Sequence, residues 1–175
     1  GKKKIKVFKK VKVGIFSTGN ELQQFDSKKK KYHTFDSNKL ILISLFKKLN
    51  CDVFDLGIIK DNFIDTKKKI LRNSKNFDLL ISSGGISSSS IDKVSELLLS
   101  NGLINFWKLA IKPGRPIAFG KINKTPFIGL PGNPVAAIIT FFMLITQFVE
   151  KISGNQERKL LSRYFPSSFN MKKKK

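Results

Sequence analysis

Residues 82–92 read SSGGISSSSID and follow the apolar run FDLLI at Phe77–Ile81. Two glycines, a string of hydroxyls and a terminal carboxylate directly after a buried strand suit the capture of an anion. Gly84 and Gly85 let backbone amides approach a ligand closely and accept positive φ. The helix expected next would offer unpaired N–H groups and a partial positive end. Ser87 and its neighbours add hydroxyl donors. Asp92 repels phosphate directly and suits a Mg²⁺ shared with it, or an N–H on the ligand. A serine-rich turn with a capping side chain is the plainer alternative.

Two more segments have comparable chemistry. KPGRP (Lys112–Pro116) sets two cations on a rigid turn, where Lys112 and Arg115 could neutralise an oxyanion across Pro113 and Gly114. GLPGNP (Gly129–Pro134) bends through Pro131 and Gly132 into an apolar run, with Asn133 as N-cap and Pro134 at the first helical position. A fourth glycine-bearing segment, STGNEL, places Thr18 and Gly19 after another apolar strand. Glu21, Asp36, Asp61 and Asp92 fall at expected strand ends or loop tips, where convergence would make a cation site. His33, the only histidine, lies in a polar loop; no Ser-His-Asp arrangement can be argued, and no P-loop spacing occurs.

The elements that would position these residues follow from the patterning. Strands are expected at Val11–Ser17, Cys51–Ile59, the FDLLIS run, PIAFGKI and TPFIGL. Helices are expected after Asp36, after Asp65, at IDKVSELLLSNG (ended by Gly102), and from Pro134 to near Gly154. Strands alternating with helices predict a three-layer α/β/α domain around a mostly parallel sheet. In such sheets ligands sit at the carboxyl ends of the strands, where the glycine-bearing bends fall.

The chain has 175 residues, 41% of them hydrophobic, which suits one domain with its own core. We expect a lysine-rich linker over 1–10, the domain over 11–154, and a linker or the beginning of another domain over 155–175. The first residue is Gly1 and not methionine, so a piece of a longer protein is expected. One cysteine, Cys51, excludes an internal disulfide and fits a reducing, cytoplasmic setting. The net charge of +22 would suggest nucleic acid, but only four of the 34 basic residues are arginine and the lysines are spread throughout. No specific nucleic acid and no membrane partner is therefore expected. The apolar run Pro134–Val149 is shorter than the ~20 residues that span a bilayer and reads as a buried helix.

Taken in order, STGNEL, FDSN, LGIIKDN, DLLISSGGIS with its later Asp, FWKLAIKPGRPIAFGK and GLPGNPVAA resemble the central domain of the molybdopterin molybdenumtransferases, the gephyrin-type family. The resemblance covers residues 11–154. It implies a molybdopterin-binding fold in an enzyme that takes adenylylated molybdopterin with Mg²⁺, hydrolyses the adenylate link and inserts molybdenum from molybdate. By motif position it implies acidic functional roles for Glu21, Asp36, Asp61 and Asp92, with Asp61 and Asp92 as metal ligands. Gly84, Gly85 and Ser87 match the pterin-phosphate loop. Lys112 to Arg115 match the basic turn, and Pro131 to Pro134 the Pro-Gly-Asn-Pro turn. Family members carry further domains and act as homodimers. Asn20 stands where the family usually has Asp, and Ser89 where it usually has glycine; either change could reduce activity. A molybdopterin adenylyltransferase of the same fold and a non-catalytic pterin-binding scaffold are the alternatives.

Overall fold

The computed structural model describes residues 1, 3–59, 68, 70–72, 74–84, 102–109, 111, 113, 116–155 and 163–169. Eight strands are described: β1 (Lys12–Thr18), β2 (Leu22–Gln23), β3 (Thr34–Phe35), β4 (Asp52–Ile59), β5 (Leu79–Ser83), β6 (Gly102–Lys108), β7 (Pro116–Ile122) and β8 (Thr125–Leu130). Helix α1 spans Ser37–Lys48. Helix α2 runs over Pro134–Ile152, with a π turn at Phe141–Ile145. Lys68, Ile70, Leu71, Arg72 and Ser74 are also helical, within the helix expected after Asp65. The helix expected at IDKVSELLLSNG lies outside the described residues, apart from Gly102, which opens β6.

Six strands form one sheet in the order β4-β1-β5-β8-β7-β6. The β4, β1, β5 and β8 neighbours pair in parallel, whereas β7 pairs antiparallel with both β8 and β6. This is the mostly parallel α/β sheet expected from the alternation of strands and helices.

Strand alternation divides the core in two, since successive side chains point to opposite faces. Val13, Ile15, Leu79, Ile81, Ile128 and Leu130 face one side with Leu42 and Phe46 of α1 and Phe141 and Ile145 of α2. Phe16, Leu80, Ala118 and Phe127 face the other, where Ile70 and Leu71 cover them. Ile70 is thus turned inward, as its helical spacing suggests. The Phe46 and Phe141 rings meet edge to face at 5.0 Å and lock α1 to α2.

The inward stripe of α2 is Ala137, Phe141, Ile145 and Val149, one residue in every four. That spacing overshoots the ~3.6 residues of an α-helical turn and would rotate the stripe off the sheet. The wider π turn absorbs the overshoot and keeps all four residues in the core. By length and composition α2 could cross a membrane. Its inward stripe is instead committed to the sheet.

Two features depart from the sequence reading. The polar stretch after β1 contains the paired strands β2 and β3, with Leu22 opposite Thr34 and Gln23 opposite Phe35. Gln23 organises it: Oε1 accepts the Lys30 N–H at 2.9 Å, and Nε2 donates to Ser27 Oγ at 3.2 Å. The strand β6 was also not expected; its antiparallel pairing with β7 is broken by two register shifts.

Candidate functional site

The register of the three central parallel strands fixes the site. Ser17 of β1 pairs with Ser83 of β5, and Ser83 pairs with Leu130 of β8. All three strands therefore end together, and the bends at Gly19, Gly84 and Pro131-Gly132 leave the sheet side by side. On the outer flank of β1, Thr18 pairs with Ile59, the last residue of β4. The antiparallel strands bring a fourth connection to the same rim. Ala118 pairs with Gly129, and Pro116 pairs with Lys108, so β6 ends and β7 starts there.

Backbone contacts hold the bends against one another. Gly84 donates its N–H to the Leu130 carbonyl at 3.1 Å. Its φ is +78°, and a Cβ would lie 2.8 Å from the Thr18 carbonyl oxygen, so only glycine fits. Ser82 Oγ donates to the Gly84 carbonyl at 2.8 Å. At Gly19 (φ +148°) a Cβ would lie 2.7 Å from the Glu21 carboxylate, which folds back over the bend. Gly132 is different: a Cβ there would meet open space.

Two helices begin at this rim. Asp36 caps α1 by accepting the Lys39 N–H at 3.2 Å. Asn133 caps α2 by accepting the Ala136 N–H at 3.1 Å, with Pro134 opening the helix, as its spacing predicts. The side-chain amide of Asn38 donates to the Gly132 carbonyl at 2.8 Å and ties the two starts together. Hydroxyls replace hydrocarbon where β1 and β5 end: Ser17, Thr18, Ser82 and Ser83 are all buried. Ser17 Oγ and Thr18 Oγ1 have no hydrogen-bond partner although both are out of water, which makes them available donors for a seated ligand.

The expected site residues fall into four groups. Thr18, Gly19, Glu21, Gly84, Pro131, Gly132 and Asn133 belong to the rim described above. Asp36 lies beneath it, 4% exposed, and its carboxylate is engaged by Lys39. Pro113 is exposed in the connection between β6 and β7. Asp61, Gly85, Ser87, Asp92, Lys112, Gly114 and Arg115 lie outside the described residues, as do Ser89 and Asp65. His33 is half-buried, with Nδ1 at 3.1 Å from the Lys31 carbonyl. Among the described residues no three carboxylate, histidine or cysteine side chains converge, so none of these alone holds a metal. The expected ligands Asp61 and Asp92 are not part of that set.

The expected site residues did not include Ser17, Asn38, Lys39, Ser82 or Ser83, although Ser82 and Ser83 open the hydroxyl-rich stretch read as suited to an anion. The serines were signalled by hydroxyls closing the apolar runs VGIF and LLI. Nothing in the sequence distinguishes Lys39 from the other lysines.

A cavity of about 770 Å³ lies elsewhere, lined by Phe8, Phe77, Asp78, Lys124, Thr125 and Ile152 among others. These residues sit where β5 and β8 begin and α2 ends, at the opposite edge of the sheet. Its size does not make it the site, because the bends, the helix starts and the unpartnered hydroxyls are all at the other rim.

Comparison with known proteins agrees with this geometry. Residues 14–151 match the family model described as "Probable molybdopterin binding domain". The molybdopterin molybdenumtransferase of Haemophilus influenzae is 39% identical over 155 residues, covering 89% of this chain and 38% of that protein. Gephyrin of Dictyostelium discoideum is 30% identical, covering 81% of this chain and 24% of its own length. This chain therefore spans well under half of the curated relatives it matches. Among solved structures, the molybdopterin biosynthesis moeA protein of Pyrococcus horikoshii superimposes with a TM-score of 0.75 at 27% identity, covering 83% of this chain and 36% of that one. The MoaB enzyme of Thermus thermophilus shares the fold with a TM-score of 0.58 at 15% identity, covering 85% of this chain and 99% of its own. With the family model spanning most of its length and three parallel strands ending at one rim, the chain belongs to the molybdopterin-binding domain family found in molybdopterin molybdenumtransferases and gephyrin.

Proposed function

We propose that the chain is the pterin-binding domain of an enzyme that inserts molybdenum from molybdate into adenylylated molybdopterin and releases AMP. The observation that carries this reading is the registered ending of β1, β5 and β8, which gathers the Gly19, Gly84 and Gly132 bends at one rim. A phosphorylated pterin wants amide and hydroxyl donors, and Thr18, the Gly84 bend and the start of α2 would supply them. The reaction adds water across the P–O–P link, so that a P–O bond breaks and AMP leaves from the pterin phosphate. Molybdate enters as a substrate oxyanion. Such hydrolysis needs positioning and charge neutralisation more than covalent chemistry.

The remaining assignments rest on motif position within the family. Gly85 and Ser87 would extend the phosphate loop. Lys112 and Arg115, set by Pro113 and Gly114, would neutralise molybdate. Glu21, Asp36, Asp61 and Asp92 are the acidic positions, and Mg²⁺ would be held by Asp61 and Asp92. The buried cap at Asp36 argues that it acts by holding α1 and not by touching substrate. A homodimer with further domains, working in the cytoplasm, completes the reading.

The test is AMP release from adenylylated molybdopterin in the presence of molybdate and Mg²⁺, by the protein carrying this chain and its flanking sequence. Release that depends on Mg²⁺ and falls by at least tenfold in Asp61→Ala or Asp92→Ala is expected; removing one group that stabilises transition-state charge typically costs roughly a hundredfold. Absence of release, or accumulation of adenylylated molybdopterin from ATP and molybdopterin, would contradict it.

A further inference from the structure

We infer that Lys39 is a positioning residue for the rim, a buried strut that sets the Gly132 bend through the first turn of α1. The inference rests on the proposed pterin site for its functional consequence and on geometry for everything else. Lys39 is 5% exposed and stands in the first helical turn, where both burial and the positive end of the helix disfavour a cation. Two carboxylates offset that cost. Nζ lies 3.2 Å from Asp55 Oδ1 on β4 and 3.5 Å from Asp36 Oδ2, the cap of the same helix. Asp36 also accepts the Lys39 backbone N–H through its other oxygen. One side chain thereby pins the start of α1 to β4.

The next link reaches the site. Asn38, the neighbouring residue, donates to the Gly132 carbonyl at 2.8 Å. No atom outside the immediate chain comes within 4 Å of where a Gly132 Cβ would be, so on that side no packing holds the bend. On the side of the helices the bend is held by the Asn38 contact and the Asn133 cap. The chain of contacts Asp55–Lys39–Asp36 and Asn38–Gly132 therefore joins β4 to the bend after β8, across the top of β1 and β5.

The sequence signal is weak, because Lys39 is one of 30 lysines, and its burial sets it apart only among the described residues. A solvent-exposed lysine at this position would be a neutral surface residue. Buried between two carboxylates, it cannot be removed without leaving Asp36 charged and unpaired.

The test uses the variants Lys39→Met, Lys39→Arg and Asp55→Asn, made in the ¹⁵N-labelled chain for resonances and in the protein carrying its flanking sequence for kinetics. The readouts are the Asn38 side-chain amide resonances, the Gly132 and Asn133 backbone resonances, and KM against kcat for AMP release. In Lys39→Met all three sets of resonances move, and KM rises roughly tenfold with kcat less affected, the signature of lost binding. Lys39→Arg restores most of both. Asp55 is half-exposed, so Asp55→Asn keeps the fold and shows a smaller change in the same direction. Should Lys39→Met fail to fold, Asp55→Asn decides on the same readouts. Unmoved Asn38 and Gly132 resonances, or an arginine variant no better than methionine, would overturn the inference. If the wild-type protein releases no AMP, the proposed function fails while the resonances still decide the strut.

Discussion

The N–H of Gly84 donates to the carbonyl of Leu130 at 3.1 Å, joining the bend after β5 to the last residue of β8. One hydrogen bond thus links two motifs that are far apart in sequence, at a bend where Gly84 takes a φ of +78°. Alanine at 84 has to adopt that φ with its Cβ 2.8 Å from the Thr18 carbonyl oxygen. Gly84→Ala should lower unfolding stability by about 1–3 kcal/mol in a denaturant titration. Gly132→Ala, facing open space, should lie within about 0.5 kcal/mol of the wild type. Equal losses at the two positions would refute the steric reading of Gly84.

The start of α2 depends on Asn133, whose side chain accepts the Ala136 N–H. Asn133→Ala should cost about 0.5–2 kcal/mol, and Asn133→Asp or Ser should recover most of it. Thermal unfolding of the three variants checks this. An aspartate that recovers stability while weakening anion binding would separate the cap from a ligand role.

Much of this arrangement was legible in the sequence, for identifiable reasons. Apolar runs ending in glycine marked β1, β5 and β8, because a buried parallel strand is hydrophobic on both faces and must stop where the chain turns. Asp36 and Asn133 were legible as caps. The β2–β3 pair was not, since two-residue strands carry no periodicity and are held by Gln23. Strand β6 was hidden because GLINFWK has no alternation. The π turn became visible only once the four-residue stripe of α2 met a sheet. Lys39 required knowledge of burial, which composition does not contain.

Burial, and then the neighbouring Asp52 carboxylate, pushes the Cys51 thiol up from 9.0 to about 11. The folded chain therefore holds the proton that the unfolded chain loses near pH 9. The stability this contributes is complete below pH 9 and disappears as pH rises toward 11. Unfolding free energies measured between those limits should fall more steeply for the wild type than for Cys51→Ala. At pH 8 the folded thiol should resist alkylation that the denatured chain undergoes readily. Identical pH slopes for the two proteins would contradict the assignment.

The Phe46–Phe141 contact predicts how α1 and α2 depend on each other. Both rings are fully buried in the core shared by the two helices. Phe46→Ala and Phe141→Ala should each cost about 3–5 kcal/mol. Because the rings touch, the double variant should cost less than the sum, by roughly 0.5 kcal/mol or more in a double-mutant cycle. Additive losses would mean that the two helices pack independently.

The central claim is that the ligand seats on the rim where β1, β5 and β8 end. Titrating the ¹⁵N-labelled chain with molybdopterin tests it most directly. Resonances of Thr18, Gly19, Gly84, Gly132 and Asn133 should shift, while those of Phe77, Lys124 and Thr125 around the opposite cavity should stay in place. Shifts confined to Phe77, Lys124 and Thr125, with the rim unmoved, would contradict the account.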